Sequence, residues 1–203
     1  MLHISTIQPS TLELLKNLQK VEILKSTRLV GGTALALQLG HRLSIDLDLF
    51  GQVEGDTESI VINLAAEDFD VKWGSNSKNI HIFTINGVKT DIVNYRYSWI
   101  DDMIEYDGIR LAGLKDIAAM KVAAITNRGS KKDFIDMYFL LNHFSIEKIM
   151  DLYLEKYPDG SSFTACKSLG YFADAEKQVM PKMLIPTTWE NVKNRIETAV
   201  KQL

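Results

Sequence analysis

The stretch GGTALALQLGHRLSIDLDLF, residues 31–50, decides how the rest of the chain is interpreted. A strand that needed only burial would carry no aspartate, yet Asp46 and Asp48 alternate here with apolar residues. This period of two predicts a strand over residues 44–50 with one buried face and one oxygen-bearing face. The buried face would comprise Ile45, Leu47 and Leu49, and the other face Ser44, Asp46 and Asp48.

Two carboxylates on one strand face predict a site for a divalent cation. Mg²⁺ prefers hard oxygen ligands and commonly takes one or two carboxylates together with substrate phosphates. Asp91, inside the run Val-Lys-Thr-Asp-Ile-Val, could be a third carboxylate if its strand neighbours that of Asp46 and Asp48. The alternative is that these acids lie on a solvated face and bind no metal.

The glycine pair predicts an anion site beside those carboxylates. Leu29-Val30 is a short apolar strand that runs into Gly31-Gly32, and a helix is predicted from Thr33 to about Leu39. A strand that ends in glycines and opens a helix offers free backbone N–H groups and a positive dipole end, both suited to phosphate. The alternative is a tight turn without a ligand.

The remainder of the N-terminal half predicts a mixed α/β region. Asn86-Gly87 is a strong hairpin signal, because both central residues of a type I′ turn need positive φ. The flanking segments are then antiparallel strands. Hydrophobic spacing predicts helices at 9–25 and 57–67 and strands at 69–73, 80–85 and 88–95.

From about residue 105 the pattern becomes helical, which predicts a first domain over 1–104 and a helical region over 105–203 that completes the cleft. Helices are expected from Leu114 to near Gly129, then around Phe134–Leu141, 147–156 and 188–202, and the segment 158–187 reads as irregular. Lys121 interrupts an apolar helix stripe, and Asp133 and Asp136 lie three residues apart on the next helix. A lysine in that position suits a triphosphate, whereas surface salt bridges are the better interpretation for Arg128, Lys131 and Lys132 individually.

Bulk properties exclude several classes. The 203 residues are 46% hydrophobic and 24% charged, as in ordinary globular proteins. The single cysteine, Cys166, excludes an internal disulfide and a clustered-cysteine metal site. A formal net charge of −3 gives no global basic footprint for nucleic acid, although a local patch stays open. With no secretory signal and no apolar run of about 20 residues, we expect a cytoplasmic protein without membrane contact.

Residues 31–50 resemble the signature of the AbiEii/AbiGii-type toxin family, whose members are nucleotidyltransferase-like and belong to the DNA polymerase β superfamily. Residues 116–138 are similar to the second conserved block of that family. The resemblance covers about residues 30–140. It implies an α+β fold: a nucleotidyltransferase-like mixed sheet with flanking helices, followed by a helical C-terminal half.

The resemblance also implies roles. Asp46, Asp48 and Asp91 would ligate Mg²⁺, with Asp91 activating an acceptor hydroxyl. Lys121 and Asp133 would join them as catalytic residues. The residues expected to hold the nucleotide are Gly31, Gly32, Thr33, Ser44, Arg128 and Asp136.

The implied reaction is Mg²⁺-dependent transfer of a nucleoside monophosphate from an NTP to an acceptor hydroxyl on tRNA or protein, with release of pyrophosphate. The protein would be the toxin of a toxin–antitoxin or abortive-infection system and would have a cognate antitoxin. Two alternatives remain open at this point: a non-catalytic module that binds a nucleotide or a partner, and a metal-dependent phosphohydrolase that uses the same oxygens.

Overall fold

The computed structural model describes all 203 residues. The chain divides into two compact units, each built from separate stretches of sequence. Unit 1 comprises Met1–Gln38, Ser44–Arg96 and Met103–Ala112; unit 2 comprises Leu39–Leu43, Tyr97–Asp102 and Gly113–Leu203. The predicted division into one domain over residues 1–104 and a second region over residues 105–203 stays a prediction.

Unit 1 contains one seven-stranded sheet in the order β3-β4-β5-β2-β1-β7-β6. Strand β2 runs parallel to β5 and β1 runs parallel to β7, while the other neighbours are antiparallel. The mixed sheet and the α+β class are therefore confirmed, and the two strands that flank the predicted hairpin are antiparallel as expected. The strands are β1 Arg28–Leu29, β2 Leu47–Gly51, β3 Val71–Asn76, β4 Ile80–Ile85, β5 Val88–Asn94, β6 Ile104–Tyr106 and β7 Ile109–Leu111.

Three helices begin in unit 1: α1 Pro9–Leu18, α2 Gly31–Leu39 and α3 Thr57–Ala66. Helix α1 is shorter than predicted, and the chain continues through a 3₁₀ turn at Glu22–Leu24. Pro9 is the first residue of α1, where its missing N–H costs nothing. The side chain of Asp56 caps α3 by accepting a hydrogen bond from the Ser59 N–H at 2.9 Å.

Strand β2 is shorter than predicted because residues 44–46 lie outside the sheet ladder. Leu47 and Leu49 are buried, as expected from their alternation with Asp48. Ile45 is 59% exposed, so its assignment to the buried face was wrong. The segment is held differently, since the Ser44 N–H donates to the carbonyl of Thr6 at 2.9 Å.

The hairpin at Asn86-Gly87 is confirmed, and a second hairpin was missed. Asn86 and Gly87 have φ of 49° and 81° and join β4 to β5. Asp107 and Gly108 have φ of 49° and 76° and join β6 to β7. The prediction of helix from about residue 105 is therefore wrong, because Asp-Gly carries the same turn chemistry as Asn-Gly.

Unit 2 contains six helices, and none of the helices in the chain is long and apolar enough to cross a lipid bilayer. The four predicted helices are present, but the segment 158–187 is not wholly irregular. It holds two short helices, and its prolines lie outside them. The helices are α4 Leu114–Asn127, α5 Lys131–Leu140, α6 Ile146–Lys156, α7 Ser162–Leu169, α8 Ala173–Glu176 and α9 Trp189–Val200.

A buried ion pair joins α4 to α6 and fixes the loop 97–102. Lys156 Nζ lies 2.6 Å from Asp116 Oδ1, and neither side chain is exposed. Lys156 also donates to the carbonyl of Ser98 at 2.9 Å. The backbone N–H groups of Ile100 and Asp101 donate to the Asp116 carboxylate. Both charges are therefore compensated by hydrogen bonds as well as by each other.

Replacing Asp116 with Asn should destabilise the protein by about 3–5 kcal/mol, because Lys156 would remain buried without a counter-charge. Urea unfolding followed by circular dichroism measures this loss. Asp151→Asn, on the exposed side of α6, is the matched control and should change the unfolding free energy by less than about 0.5 kcal/mol. Equal effects of the two substitutions would contradict the assignment of a buried pair.

Candidate functional site

Gly31 and Asp48 approach each other so closely that a side chain at residue 31 would displace the Asp48 carboxylate. Gly31 has φ of +68°, and a methyl group on its Cα would lie 2.1 Å from Asp48 Oδ2. The Val30 N–H donates to the carbonyl of Asp48 at 2.9 Å. The Asp48 carboxylate therefore lies directly against the first turn of α2.

Asp48 and Asp91 lie side by side on the central strands. They are Cα partners in the parallel pairing of β2 and β5. Aligned residues on neighbouring strands point to the same face of a sheet, and the opposite face carries the buried residues Leu49 and Ile92. The structure therefore places Asp48 and Asp91 next to each other on one face of the sheet, which meets the condition that the strand of Asp91 neighbours that of Asp48.

Asp91 has a carboxylate oxygen that no group in the chain satisfies. Its Oδ2 lies 3.2 Å from Lys89 Nζ. Its Oδ1 is buried and has no hydrogen-bond partner. A buried polar atom without a partner is costly and uncommon in native proteins, so it calls for an explanation such as an ion or a reacting group.

The chain contains no group of three or more His, Cys, Asp or Glu side chains arranged to hold a metal ion. The side chains of Asp46, Asp48 and Asp91 are therefore not already arranged as a three-carboxylate metal site. That all three bind one cation stays a prediction. Asp46 lies one residue before β2. The pair Asp48 and Asp91, with its unsatisfied oxygen, still fits Mg²⁺, which takes one or two carboxylates and completes its shell with waters and phosphates.

Thr33 and Ser44 form hydrogen bonds next to Asp46. The Thr33 side chain is buried within α2. Its hydroxyl donates to the carbonyl of Asp46 and lies 2.8 Å from the hydroxyl of Ser44. Gly32 is the second residue of α2. That these residues bind a phosphate stays a prediction.

In unit 2, the predicted residues Lys121, Asp133 and Asp136 form a buried network of charges. Lys121 Nζ lies 2.9 Å from Asp133 Oδ1 and 2.6 Å from Asp136 Oδ2. The Lys121 side chain is only 5% exposed. Both of these contacts of the ammonium group are with carboxylates of the protein.

Two residues of this network, His41 and Arg42, were missed by the sequence reasoning. Arg42 Nε and Nη2 donate to the two oxygens of Asp136 at 2.7 and 2.9 Å. His41 Nε2 lies 2.8 Å from Asp136 Oδ1. Their position between the glycine turn and the Asp46–Asp48 segment could have indicated a structural role. Nothing nearby in the sequence identified Asp136 as their partner.

The network ends at Arg128. Its Nε donates to Asp133 Oδ2 at 3.0 Å, and the Ser130 hydroxyl donates to the same oxygen at 2.6 Å. The Arg128 side chain remains 68% exposed. Lys131, by contrast, is buried and donates to the carbonyl of Glu176, so its assignment to a surface salt bridge was wrong.

The network determines the ionisation of its members. Burial alone would raise the pKa of Asp133 and of Asp136, but the neighbouring cations Lys121, Arg42 and Arg128 hold both pKa values well below the ordinary range. Burial lowers the pKa of Lys121, yet attraction to Asp136 and Asp133 outweighs it and the pKa is raised. Burial lowers the pKa of His41, which keeps the ring neutral.

These directions predict loss of stability in acid. A carboxylate with a lowered pKa stabilises the fold above its unfolded pKa near 4, and this stabilisation is lost as the pH falls towards its folded pKa. Neutral His41 adds a loss below about pH 6.5, since the unfolded state takes up its proton first. The melting temperature of the wild type should therefore fall between pH 7 and pH 3.

Asp133→Asn tests this source of acid sensitivity. The variant should melt lower at pH 7, and its melting temperature should depend less on pH below about 4. Asp174→Asn, an exposed change in the same unit, is the control and should follow the wild-type pH profile. A pH profile of Asp133→Asn that runs parallel to the wild type would contradict the assignment.

Comparison with known proteins identifies a matching family and a related protein. Residues 13–69 match the family described as nucleotidyl transferase AbiEii toxin of type IV toxin–antitoxin systems. An uncharacterized protein of Aquifex aeolicus (strain VF5), aq_aa25, is 35% identical over 195 residues, which cover 94% of each chain. The chain is thus related over nearly its whole length to that protein.

Solved structures share the fold at low sequence identity. The structure of a putative nucleotidyltransferase from H. pylori gives a TM-score of 0.62 at 16% identity over 96% of this chain and 95% of the other. MenT4, a nucleotidyltransferase toxin of Mycobacterium tuberculosis H37Rv, gives 0.62 at 16% identity over 97% and 86%. JHP933 of Helicobacter pylori gives 0.55 at 18% identity over 97% and 94%.

The sequence resemblance, the match at residues 13–69 and the shared fold lead to one assignment, which confirms the nucleotidyltransferase prediction at the level of the family. This chain belongs to the AbiEii family of nucleotidyltransferase toxins.

Proposed function

We propose that this protein is a Mg²⁺-dependent enzyme that transfers a nucleoside monophosphate from an NTP to an acceptor hydroxyl and that it acts as a toxin. One observation carries the proposal: Asp48 and Asp91 are in register beside the glycine turn, and Asp91 Oδ1 is buried without a partner. An enzyme that uses these acids explains why an unsatisfied carboxylate oxygen is retained in the centre of the sheet.

The acids divide the work between metal binding and proton transfer. Bound Mg²⁺ would neutralise triphosphate charge and favour in-line attack at phosphorus. Asp46 and Asp48 would hold it, with Asp91 as a third ligand. The backbone N–H groups at Gly32 and Thr33, at the start of α2, would face phosphate oxygens.

The reaction balances with groups that the chain and its substrates supply. The oxygen of the acceptor hydroxyl forms a bond to the α-phosphorus of the NTP. The bond from that phosphorus to the pyrophosphate oxygen breaks, and pyrophosphate leaves with the electron pair. Asp91 accepts the proton of the hydroxyl. Charge stabilisation and positioning supply most of what such a transfer requires.

Arg128 is the residue of unit 2 best suited to a phosphate. Lys121 and Asp133 are buried and satisfied by each other, whereas the Arg128 guanidinium is held in a fixed orientation by Asp133 and remains 68% exposed. A planar guanidinium pairs well with phosphate oxygens. Lys121, Asp133 and Asp136 would then hold Arg128 in place and would not themselves contact a phosphate.

The acceptor and the biological partner follow from the family. We propose a hydroxyl of tRNA or of a protein as the acceptor. The description of the family as a type IV toxin–antitoxin toxin also supports a cognate antitoxin, which would counteract the toxin in the cell. We also propose that the protein acts in the cytoplasm, where NTPs and tRNA are available.

Incubation with each α-labelled NTP, Mg²⁺ and either total tRNA or total protein tests the reaction. Label should appear on one acceptor class and require Mg²⁺. Asp48→Asn and Asp91→Asn should each reduce the rate by at least about 100-fold, because each removes a charge from the reacting centre. Asp70→Asn, at an exposed position just before β3, is the control and should retain the wild-type rate.

Other products would point to the alternatives. Release of labelled nucleotide or free phosphate without a labelled acceptor would indicate a phosphohydrolase. A failure of Mg²⁺-NTP to raise the melting temperature, together with no product, would indicate a module that has lost nucleotide chemistry. Wild-type rates in Asp48→Asn would refute the role of the acidic pair.

Gly31→Ala should nearly abolish transfer. The added methyl group would collide with the Asp48 carboxylate and would also strain the positive φ. Gly87→Ala is a matched control, because Gly87 has φ of +81° with no atom near its missing side chain. Both variants should lose about 1 kcal/mol or more of stability, but only Gly31→Ala should lose activity at a temperature where both are folded.

A further inference from the structure

Thr33 lies in the glycine turn, where a hydroxyl would ordinarily be expected to meet a phosphate, but its geometry does not suit that contact. The residue is 1% exposed. Its hydroxyl donates to the carbonyl of Asp46 and lies 2.8 Å from the Ser44 hydroxyl. Both contacts are made within unit 1 and without any ligand.

The hydrogen-bonding capacity of Thr33 is already used. A threonine hydroxyl has one hydrogen to donate and two lone pairs. The hydrogen is directed to the Asp46 carbonyl, so the Ser44 hydroxyl must be the donor in the second contact. What remains on Thr33 is a lone pair, which would repel a phosphate oxygen.

The contacts of Thr33 hold the segment that carries Asp46. Residues 44–46 precede β2 and take no part in the sheet ladder. The Ser44 N–H is fixed by the Thr6 carbonyl, and the Asp46 carbonyl is fixed by Thr33. The direction in which Asp46 leaves the backbone is therefore set from α2, two residues after Gly31, which lies against Asp48.

We propose that the hydroxyls of Thr33 and Ser44 orient Asp46 for binding of a divalent cation and do not contact the triphosphate. The proposal rests on the role of Asp46 in the proposed function. It predicts that loss of the Thr33 hydroxyl weakens the binding of the cation and leaves the binding of the nucleotide unchanged.

Mn²⁺, which substitutes for Mg²⁺ and is visible by electron paramagnetic resonance, provides a test that needs no turnover. Thr33→Val removes the hydroxyl and keeps the volume and the branching, whereas Thr33→Ser keeps the hydroxyl. We expect the Kd for Mn²⁺ to rise about tenfold in Thr33→Val and to stay within about twofold of wild type in Thr33→Ser. The KM for NTP at saturating cation should stay within about twofold in both variants.

The opposite pattern would overturn the proposal: an unchanged Kd for Mn²⁺ in Thr33→Val, with a KM for NTP raised at saturating cation, would mean that the hydroxyl contacts the nucleotide. If Thr33→Val does not fold, Ser44→Ala decides the question, because it removes the donor to Thr33. A rise of about threefold in its Kd for Mn²⁺ would support the proposal, and no change would overturn it.

Different results would refute the proposed reaction and this inference. A wild-type protein that binds Mn²⁺, with binding abolished in Asp46→Asn, but labels no acceptor would refute the transfer reaction. The comparison of Thr33→Val with Thr33→Ser would still decide how Asp46 is oriented. A wild-type protein that binds no Mn²⁺ would overturn the inference itself.

Discussion

Asp136 is a carboxylate without exposed surface, and unit 2 is arranged around the need to compensate its charge. An isolated ion in that position would cost several kcal/mol. Arg42 covers both oxygens, Lys121 adds a third contact and His41 a fourth. Lys121 also pairs with Asp133, and Asp133 orients Arg128, so removing Asp136 or Asp133 would leave buried positive charge without its counter-charge. The loop 39–43 and the helices α4 and α5 are thereby fixed to one another.

The acids of the two units differ in a way that separates chemistry from support. In unit 2 each oxygen of Asp133 and Asp136 already has a partner within the chain. In unit 1 Asp91 keeps one oxygen unsatisfied beside Asp48. A saturated carboxylate has little left to offer a substrate, whereas an unsatisfied one can take a cation or a proton. This contrast favours the unit 1 acids as the reacting groups.

The sequence predicted features that depend on neighbouring residues better than features that depend on residues far apart in the chain. Alternation around Asp48 correctly placed Leu47 and Leu49 on the buried face, but it wrongly included Ile45, because a pattern of two does not reveal where the ladder of hydrogen bonds ends. Asn86-Gly87 identified a hairpin. Asp107-Gly108 offered the same chemistry and was overlooked amid residues that favour helix. The pairing of Arg42 with Asp136 could not be predicted from the sequence, because the two residues are 94 positions apart. Arginine and aspartate are also usually found on protein surfaces, so neither residue alone indicated burial.

The separation of these partners has a consequence for synthesis on the ribosome. His41 is translated 95 residues before Asp136. At about 5–20 residues per second, the ribosome needs roughly 5–20 s to cover that distance. During this interval the loop 39–43 lacks the carboxylate that His41 and Arg42 contact in the folded protein, and it makes these contacts only after α5 has emerged. The nascent chain thus completes the signature stretch late, although that stretch is encoded early.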